Sequence, residues 1–340
     1  MNFIQLQQQI WLDWHYALDK VSASQVSTIL GENPWQTPFQ LFHMKRGNMP
    51  WPKQNLAMEL GHTLEDIIAG HFEDERGVML FDPGDYAVAL CSEFPGLFCT
   101  VDRMEEGKPV EIKTGNQYVK KNWNDGPPMG YRLQNQTQML CTGAKTGSIA
   151  AFLGDNFKLA YGLSSSKDSV EDLMQESGVT YHDFDYEFHQ PLSENILKYV
   201  EDFIRRCVDN KEQDAEGADI PTLKVLHPMD NGDVKQDTVS FAHFTGLGLA
   251  KEQSKSTEKH KKDMEASIIQ SIGDNSYLAS DGMCMSYKHQ TRAGGISVSS
   301  KNKEAFTKAK QALDEAGVKY KETTDTTYRV LRDCKMPTEG

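Results

Sequence analysis

Val101-Asp102-Arg103-Met104-Glu105-Glu106-Gly107-Lys108-Pro109-Val110-Glu111-Ile112-Lys113-Thr114 is the stretch on which the reading of this chain turns. Pro109–Thr114 is short and apolar enough to be a strand. Leu97–Asp102 reads as its neighbour, with Glu105-Glu106-Gly107-Lys108 as the hairpin loop between them. Side chains alternate across a strand, so Glu111 and Lys113 share one face while Val110 and Ile112 turn to the core. The hairpin would bring Asp102 to the polar face. Two carboxylates there could hold a hard divalent cation through oxygen, and a lysine is a point charge able to orient a water or stabilise charge on a phosphate. That equipment suits metal-assisted phosphodiester hydrolysis.

The triplet alone is not specific. Acid-x-Lys occurs at Glu106/Lys108, Glu111/Lys113, Asp209/Lys211, Asp233/Lys235 and Asp333/Lys335, and only the second combines an apolar strand with an Asp on a neighbouring one. On the residues alone, Glu111 and Lys113 fit a solvated strand face with a weak surface ion pair just as well.

Working outward, Ser22-Ala23-Ser24 ahead of Val26, Ile29 and Leu30 reads as a capped short helix stopped at Gly31. Leu56, Leu60, Leu64, Ile67, Ile68 and Phe72 recur at helical spacing and predict a long helix over Lys53–Arg76, ended by Gly77. Tyr86–Leu90 is a further strand, and Tyr131–Cys141 a helix ending at Gly143. Ile149–Leu153 and Lys158–Gly162 flank Gly154-Asp155-Asn156 as a second hairpin. Asp185–Phe188 is a strand, and Ser193 caps a helix running to about Val208. Past a polar, acidic segment lie a helix over Phe241–Ile272 with Lys251, Lys255, Lys259, Lys261 and Lys262, a hairpin over Tyr277–Lys288, a helix over Lys303–Ala316 and a last strand at Tyr328–Arg332.

The chain of 340 residues, 38% hydrophobic and 25% charged, is long enough for a buried core and too ordinary in composition for wholesale disorder. Its net charge of −13 argues, at face value, against a nonspecific coat on DNA or anionic membrane. No apolar run approaches the roughly 18 residues of a membrane span, and the first residues do not read as a signal peptide. The six cysteines form no C-x-x-C pair, which leaves zinc ribbons and iron–sulfur clusters without support and suits a reducing cytoplasm.

Four stretches make the chain recognisable. Ser22 to Gly31 followed by Asn33-Pro34-Trp35-Gln36-Thr37-Pro38 resembles the opening motif of YqaJ-like viral recombinases, lambda-type exonucleases of the PD-(D/E)xK nuclease superfamily. Leu60-Gly61-His62-Thr63-Leu64-Glu65 looks like their helical G-x-x-x-E motif. Asp102 and Glu111-Ile112-Lys113 match their metal-binding strands. Tyr131-Arg132-Leu133-Gln134-Asn135-Gln136, running on to Gly143, is similar to their Y-x-x-Q-x-Q helix. The order is the family's, over roughly Ser22 to Gly143. Two departures stand out: Thr100-Val101 replaces the proline before the aspartate, and Trp14-His15-Tyr16-Ala17-Leu18-Asp19-Lys20 holds no arginine, leaving His15 and Lys20 as the basic residues ahead of the serine motif.

The resemblance implies an α/β fold, a PD-(D/E)xK nuclease core with a mixed central sheet flanked by helices, and a small C-terminal α+β extension. It implies a nuclease domain over 1–210, a linker over 211–222 and an extension over 223–340. Asp102, Glu111 and the Ile112 carbonyl would be metal donors for Mg²⁺, with Mn²⁺ as the substitute, and Lys113, Glu65 and Gln134 the catalytic side chains. Ser24 would meet a 5′ phosphate at a helix N-terminus, and Tyr131, Arg132 and Gln136 would contact DNA. Each has a plainer reading too: Glu65 as an exposed helix carboxylate, Ser22 and Ser24 as N-caps, Tyr131 as a core-edge aromatic, and Gln134 and Gln136 as solvated helix residues. The implied activity is 5′ to 3′ resection of duplex DNA ends for phage-type recombination, alongside a single-strand annealing protein and within a homo-oligomer, a ring in some relatives. The expected setting is the cytoplasm of a bacterial host, from a phage or prophage gene. The rivals are a structure- or site-specific endonuclease of the same superfamily and a noncatalytic DNA-binding scaffold. Lys113, Lys120, Lys121 and Arg132 would make a local basic groove on an acidic protein. For the tail, DNA contact through Lys251–Lys262, partner recruitment and oligomer stabilisation all stay open.

Overall fold

A computed structural model describes residues 3–229, 240–272, 274, 276–280, 283–292, 303–315 and 326–333. The chain divides into two compact units, Met1–Asn231 and Gly232–Gly340. In the first, the elements run β1 (Ile4–Gln5), α1 (Gln8–Tyr16), β2 (Val21–Ser22), α2 (Ala23–Ile29), α3 (Pro38–Lys45), α4 (Leu56–Arg76), β3 (Ala87–Leu90), β4 (Leu97–Cys99), β5 (Arg103–Glu105) and β6 (Lys108–Gly115). A 3-10 turn (Lys120–Trp123) follows, then α5 (Met129–Thr142), β7 (Thr146–Leu153), α6 (Asn156–Ser165), α7 (Val170–Ser177), β8 (Thr180–Glu187), α8 (Gln190–Asp209), a second 3-10 turn (Gly217–Asp219) and α9 (Ile220–Leu226).

The sheet that carries the acidic strand has the order β5-β6-β7-β8. Its β6–β7 pair is parallel, and the pairs on either side are antiparallel. A second sheet, β1-β3-β4-β2, lies beside it in the same unit. This is the expected α/β arrangement, a mixed central sheet flanked by helices. Packing follows from alternation. Val110 and Ile112 of β6, with Ala150 and Phe152 of β7, meet Leu64, Ile68 and Phe72 of α4 on one face. The other face, which carries Ile149 and Ala151 opposite Glu111 and Lys113, is covered by α5 and the turn around Trp123. The central pair is covered on both faces, so of the two readings the solvated strand face does not hold for Glu111, which is buried, while Lys113 keeps partial exposure.

Local chemistry sets the element ends. Ser22 and Gln25 form a capping box at the start of α2. Asn55 caps α4, and Gly77 ends it in the left-handed region. Glu106 and Gly107, both at positive φ, make the two-residue turn between β5 and β6. The hairpin is therefore tighter than the sequence implies, and its first strand is Arg103–Glu105. Leu97–Cys99 pairs instead with β2 and β3, so Asp102 sits where the chain passes from one sheet to the other.

Two further expectations are corrected. The stretch Lys158–Gly162 is helical, part of α6, because Asp155 caps it by accepting the Lys158 N–H at 3.1 Å. α8 begins at Gln190 with His189 as its cap, and Ser193 is a buried residue within it. Within 211–222, Asp219 and Thr222 are buried, Asp219 accepts from Thr37 Oγ1 at 2.5 Å, and Gly217, Ala218, Ile220 and Pro221 are exposed.

The second unit contains α10 (Ser240–Ile272), β9 (Tyr277–Ser280), β10 (Met283–Arg292), α11 (Lys303–Glu315) and β11 (Thr326–Asp333), with an antiparallel sheet ordered β11-β10-β9. This is the expected α+β extension. Lys251, Lys255, Lys259, Lys261 and Lys262 are all exposed along α10. Cys334 and the stop at Gly317 lie outside the described residues. Among the described residues no helix is long and apolar enough to cross a membrane.

Lys45, at the end of α3, is buried and ties the segment after α1 to the core. Its Nζ donates to the carbonyls of His15 (2.8 Å), Ala17 (3.1 Å) and Lys20 (2.8 Å). Burial lowers it from an ordinary value near 10.5 to about 8. Between those values the unfolded chain keeps a proton that the folded chain has released, so folding stability rises with pH across that window. Compared with Lys45→Met, the wild-type chain should gain about 2 kcal/mol of unfolding free energy between about pH 7.5 and about pH 10, read by denaturant unfolding.

Candidate active site

Glu111 is the centre of the site. It is 1% exposed, at the middle of β6 and facing α5. A bare carboxylate would not survive there, and three donors meet it. Lys113 Nζ and Gln134 Nε2 (2.6 Å) donate to its Oε1, and Gln138 Nε2 donates to its Oε2. Gln134 and Gln138 are one helical turn apart, so α5 presents both to the strand. Gln138 also donates to the Thr100 carbonyl at 3.0 Å, which fixes the chain just ahead of Asp102.

Asp102 approaches from the crossing between the sheets, and its Oδ2 accepts the Ile112 N–H at 2.7 Å. Burial raises the Asp102 carboxyl above the ordinary range, against the positive charge of Lys113, and the charge of Glu65 adds to the rise. Glu111 is raised likewise, by burial first and then by the Asp102 charge. Burial works against the Lys113 ammonium, but the charges of Glu111 and Asp102 outweigh it and hold Lys113 above its ordinary value. The three groups thus sense one another directly. The Tyr131 ring lies 5.3 Å from Lys113 Nζ and packs against Trp123.

Among the described residues, no three or more His, Cys, Asp or Glu side chains are gathered into a ready-made metal cage. Asp102 Oδ1 nevertheless receives no hydrogen bond from the described residues, and Glu111 Oε2 receives one. Two carboxylates with spare oxygen lone pairs, both held above the ordinary range, Glu111 in part by the Asp102 charge, fit a hard divalent cation that completes its shell with water and phosphate oxygens.

The remaining expected residues separate. Glu65 projects from α4 and accepts from Arg103 Nη1 at 2.6 Å. Arg132 is exposed, with its guanidinium 5.4 Å from the centre of the Tyr186 ring. Ser24 is exposed on α2, its Oγ 2.9 Å from Ser22 Oγ, and α2 packs on α5. Gln136 is the correction: it is buried and donates to Ser193 Oγ at 3.1 Å, turned toward α8 and away from the strand. Two residues along a helix face opposite ways, so Gln134 and Gln136 do not share a surface. His15 is a packed residue, its Nδ1 2.8 Å from the Trp11 carbonyl and its ring edge-on to Phe98. Lys20 Nζ donates to the Pro95 carbonyl at 3.3 Å. Sequence reasoning missed Gln138 and Arg103. The fourfold spacing from Gln134 was a usable signal for the first.

These side chains all come from one contiguous part of the chain. Residues 10–145 match the YqaJ-like viral recombinase domain. Over 142 residues the chain is 33% identical to the uncharacterized protein YqaJ of Bacillus subtilis (strain 168), an overlap of 40% of this chain and 44% of that protein. The chain thus spans less than half the length of that relative. Among solved structures it is similar to an alkaline exonuclease (LHK-Exo) from Laribacter hongkongensis, with a TM-score of 0.45 and 19% identity over 60% of this chain and 95% of that one. It is also similar to a phage-related exonuclease from Haemophilus somnus 129PT, with a TM-score of 0.40 and 14% identity over 56% and 96%. Within the matched residues 10–145 lie β6, α4, α5 and the whole Asp102–Glu111–Lys113–Gln134 constellation.

The two helix faces of α5 give a stability test. Gln136→Ala should lower unfolding free energy by about 1–2 kcal/mol, because it leaves a buried partner unsatisfied. Arg132→Ala, on the exposed face, should stay within about 0.5 kcal/mol of wild type. Urea unfolding of the two variants side by side checks both.

Proposed function

We propose that the chain is a metal-dependent deoxyribonuclease, a DNA exonuclease that resects duplex ends 5′ to 3′ and leaves a 3′ single strand for recombination by annealing. The observation that carries the reading is the buried Glu111 carboxylate, held by Lys113, Gln134 and Gln138 beside Asp102. Burying a carboxylate pair with a lysine costs stability, and a fold that keeps them together inside a YqaJ-like domain has a use for them.

Asp102 and Glu111, with the Ile112 carbonyl, would hold Mg²⁺ or Mn²⁺. When bound, such a cation supplies Lewis acidity and neutralises charge on the scissile phosphate. The other steps belong to the chain. Gln134 and Gln138 fix the Glu111 carboxylate in one orientation, so no reorganisation is needed as the phosphate arrives. Lys113, kept charged by its neighbours, orients the attacking water and stabilises the charge that builds on the phosphoryl oxygens. Tyr131 walls the lysine on one side and limits its rotamers. Exposed Arg132 and Lys121 would offer phosphate contacts, exposed Ser24 on α2 would meet a 5′ end, and an annealing protein and a ring of subunits complete the reading.

End-labelled linear duplex tests it. With Mg²⁺ the 5′ label should be released ahead of the 3′ label, and covalently closed circles should survive. Lys113→Met and Glu111→Gln should each lose at least about a hundredfold in rate while retaining the wild-type circular dichroism spectrum. Cutting of closed circles would point to an endonuclease, and unchanged digestion by both variants would remove the site.

A further inference from the structure

Charge is divided unevenly between the two units. Met1–Asn231 holds 19 Lys and Arg against 34 Asp and Glu, whereas Gly232–Gly340 holds 17 against 15. The acidity of the protein thus belongs to the first unit. In the second, acids are kept off the sheet. The strands β9, β10 and β11 carry Lys288, Arg292, Arg329 and Arg332, and their single acid is Asp333 at the end of β11.

Strand pairing gathers four exposed side chains on this sheet. Tyr277 stands opposite Ser286, and Lys288 follows two residues on, along the same face. The Lys288 ammonium lies 4.2 Å from the centre of the Tyr277 ring and donates to its hydroxyl oxygen. Arg332 stands opposite Ser286 from the other side, and its Nη2 donates to Gln290 Oε1 at 2.7 Å. Tyr277, Lys288, Gln290 and Arg332 are exposed, while Met285 and Tyr287, which alternate with them, are partly covered. Among the described residues no carboxylate pairs with Lys288 or Arg332.

An occupant of this face has to bring negative charge to two cations and a flat apolar surface to a ring. It also meets the amide N–H groups of Gln290, whose oxygen is taken by Arg332. An unpaired polynucleotide strand supplies all three, with phosphates for the cations, base faces for the ring and base edges for the amide. A duplex hides its base faces, and an acidic peptide leaves the ring and the amide unused. The lysines of α10 form a weaker surface, since Glu252 and Glu258 interrupt Lys251–Lys262.

We propose that the exposed sheet face of the second unit, through Tyr277, Lys288, Gln290 and Arg332, binds a single strand of DNA. The binding does not rest on the proposed nuclease reading. It gives the chain a hold on unpaired DNA through residues other than those around Glu111.

Fluorescence anisotropy of a labelled oligo(dT) with the full chain, in EDTA so that no metal-dependent cleavage intrudes, tests it. Lys288→Gln combined with Arg332→Gln should weaken oligo(dT) binding at least about tenfold and flatten the log–log salt dependence by about 1.4, the share of two phosphate contacts on a single strand. Its affinity for linear duplex should stay within about threefold of wild type. Tyr277→Ala should lose at least about fivefold on oligo(dT), and Tyr277→Phe, which keeps the ring, should stay within about twofold. Lys255→Ala combined with Lys259→Ala should stay within about threefold. Should the double glutamine variant fail to fold, Lys288→Gln alone should flatten the salt dependence by about 0.7. Unchanged oligo(dT) affinity in the folded double glutamine variant would overturn the inference. So would an equal loss on duplex, or a loss confined to the α10 variant. A ribo-oligonucleotide bound more tightly than oligo(dT) would overturn the assignment to DNA.

Discussion

A carboxylate buried on a strand covered from both sides is the constraint around which the first unit is arranged. Glu111 lies where Val or Ile would satisfy a parallel strand with no cost, so its charge has to be met by polar groups delivered through the core. That demand fixes the face of α5 that looks at the sheet, since Gln134 and Gln138 must point inward together. It fixes the distance of α5 from the sheet as well. Gly147 lets β7 pass so close to Asn135 that an added Cβ would meet its Oδ1 at 2.5 Å, and Asn135 Nδ2 donates to the Ser148 carbonyl at 3.2 Å. On the opposite face Leu64, Ile68 and Phe72 of α4 meet Val110 and Ile112, so the polar and apolar faces of β6 are served by different helices.

Much of this was legible in the sequence where a period and a stop signal coincide. The stripe from Leu56 to Phe72 with Gly77 beyond it, and the capping pattern at Ser22, translate into α4 and α2 within a few residues. Where the signal is chemically double, the reading fails. Gly154-Asp155-Asn156 serves as a hairpin turn or as a helix cap, and Lys158-Leu159-Ala160-Tyr161-Gly162 is too short to show which period it follows. The run Leu97 to Asp102 is uniformly compatible with one strand, because a change of sheet leaves no mark on hydrophobicity.

The candidate site divides in the same way. Asp102, Glu111, Lys113 and Gln134 were found because each stands in a local pattern, and the structure brings them together. Gln136 misled because the glutamine spacing of two matches a motif but not a helix face. Arg103 was invisible because its partners Glu65 and Asp82 are far away in sequence and meet it only through the fold. The net charge of −13 hid the local arrangement, in which Lys113 and Arg103 stand among the carboxylates of the site.

The β6–α5–β7 connection has a further consequence for the order in which this protein becomes itself. The helix that donates to Glu111 is also the crossover that lets two parallel strands pair, so one folding event closes the sheet and supplies the carboxylate with its partners. Parallel pairing through such a crossover is a non-local step, slower than the hairpin beside it. An incompletely folded chain therefore holds every residue of the constellation and none of its geometry. Whatever chemistry the site performs is withheld until the crossover has closed.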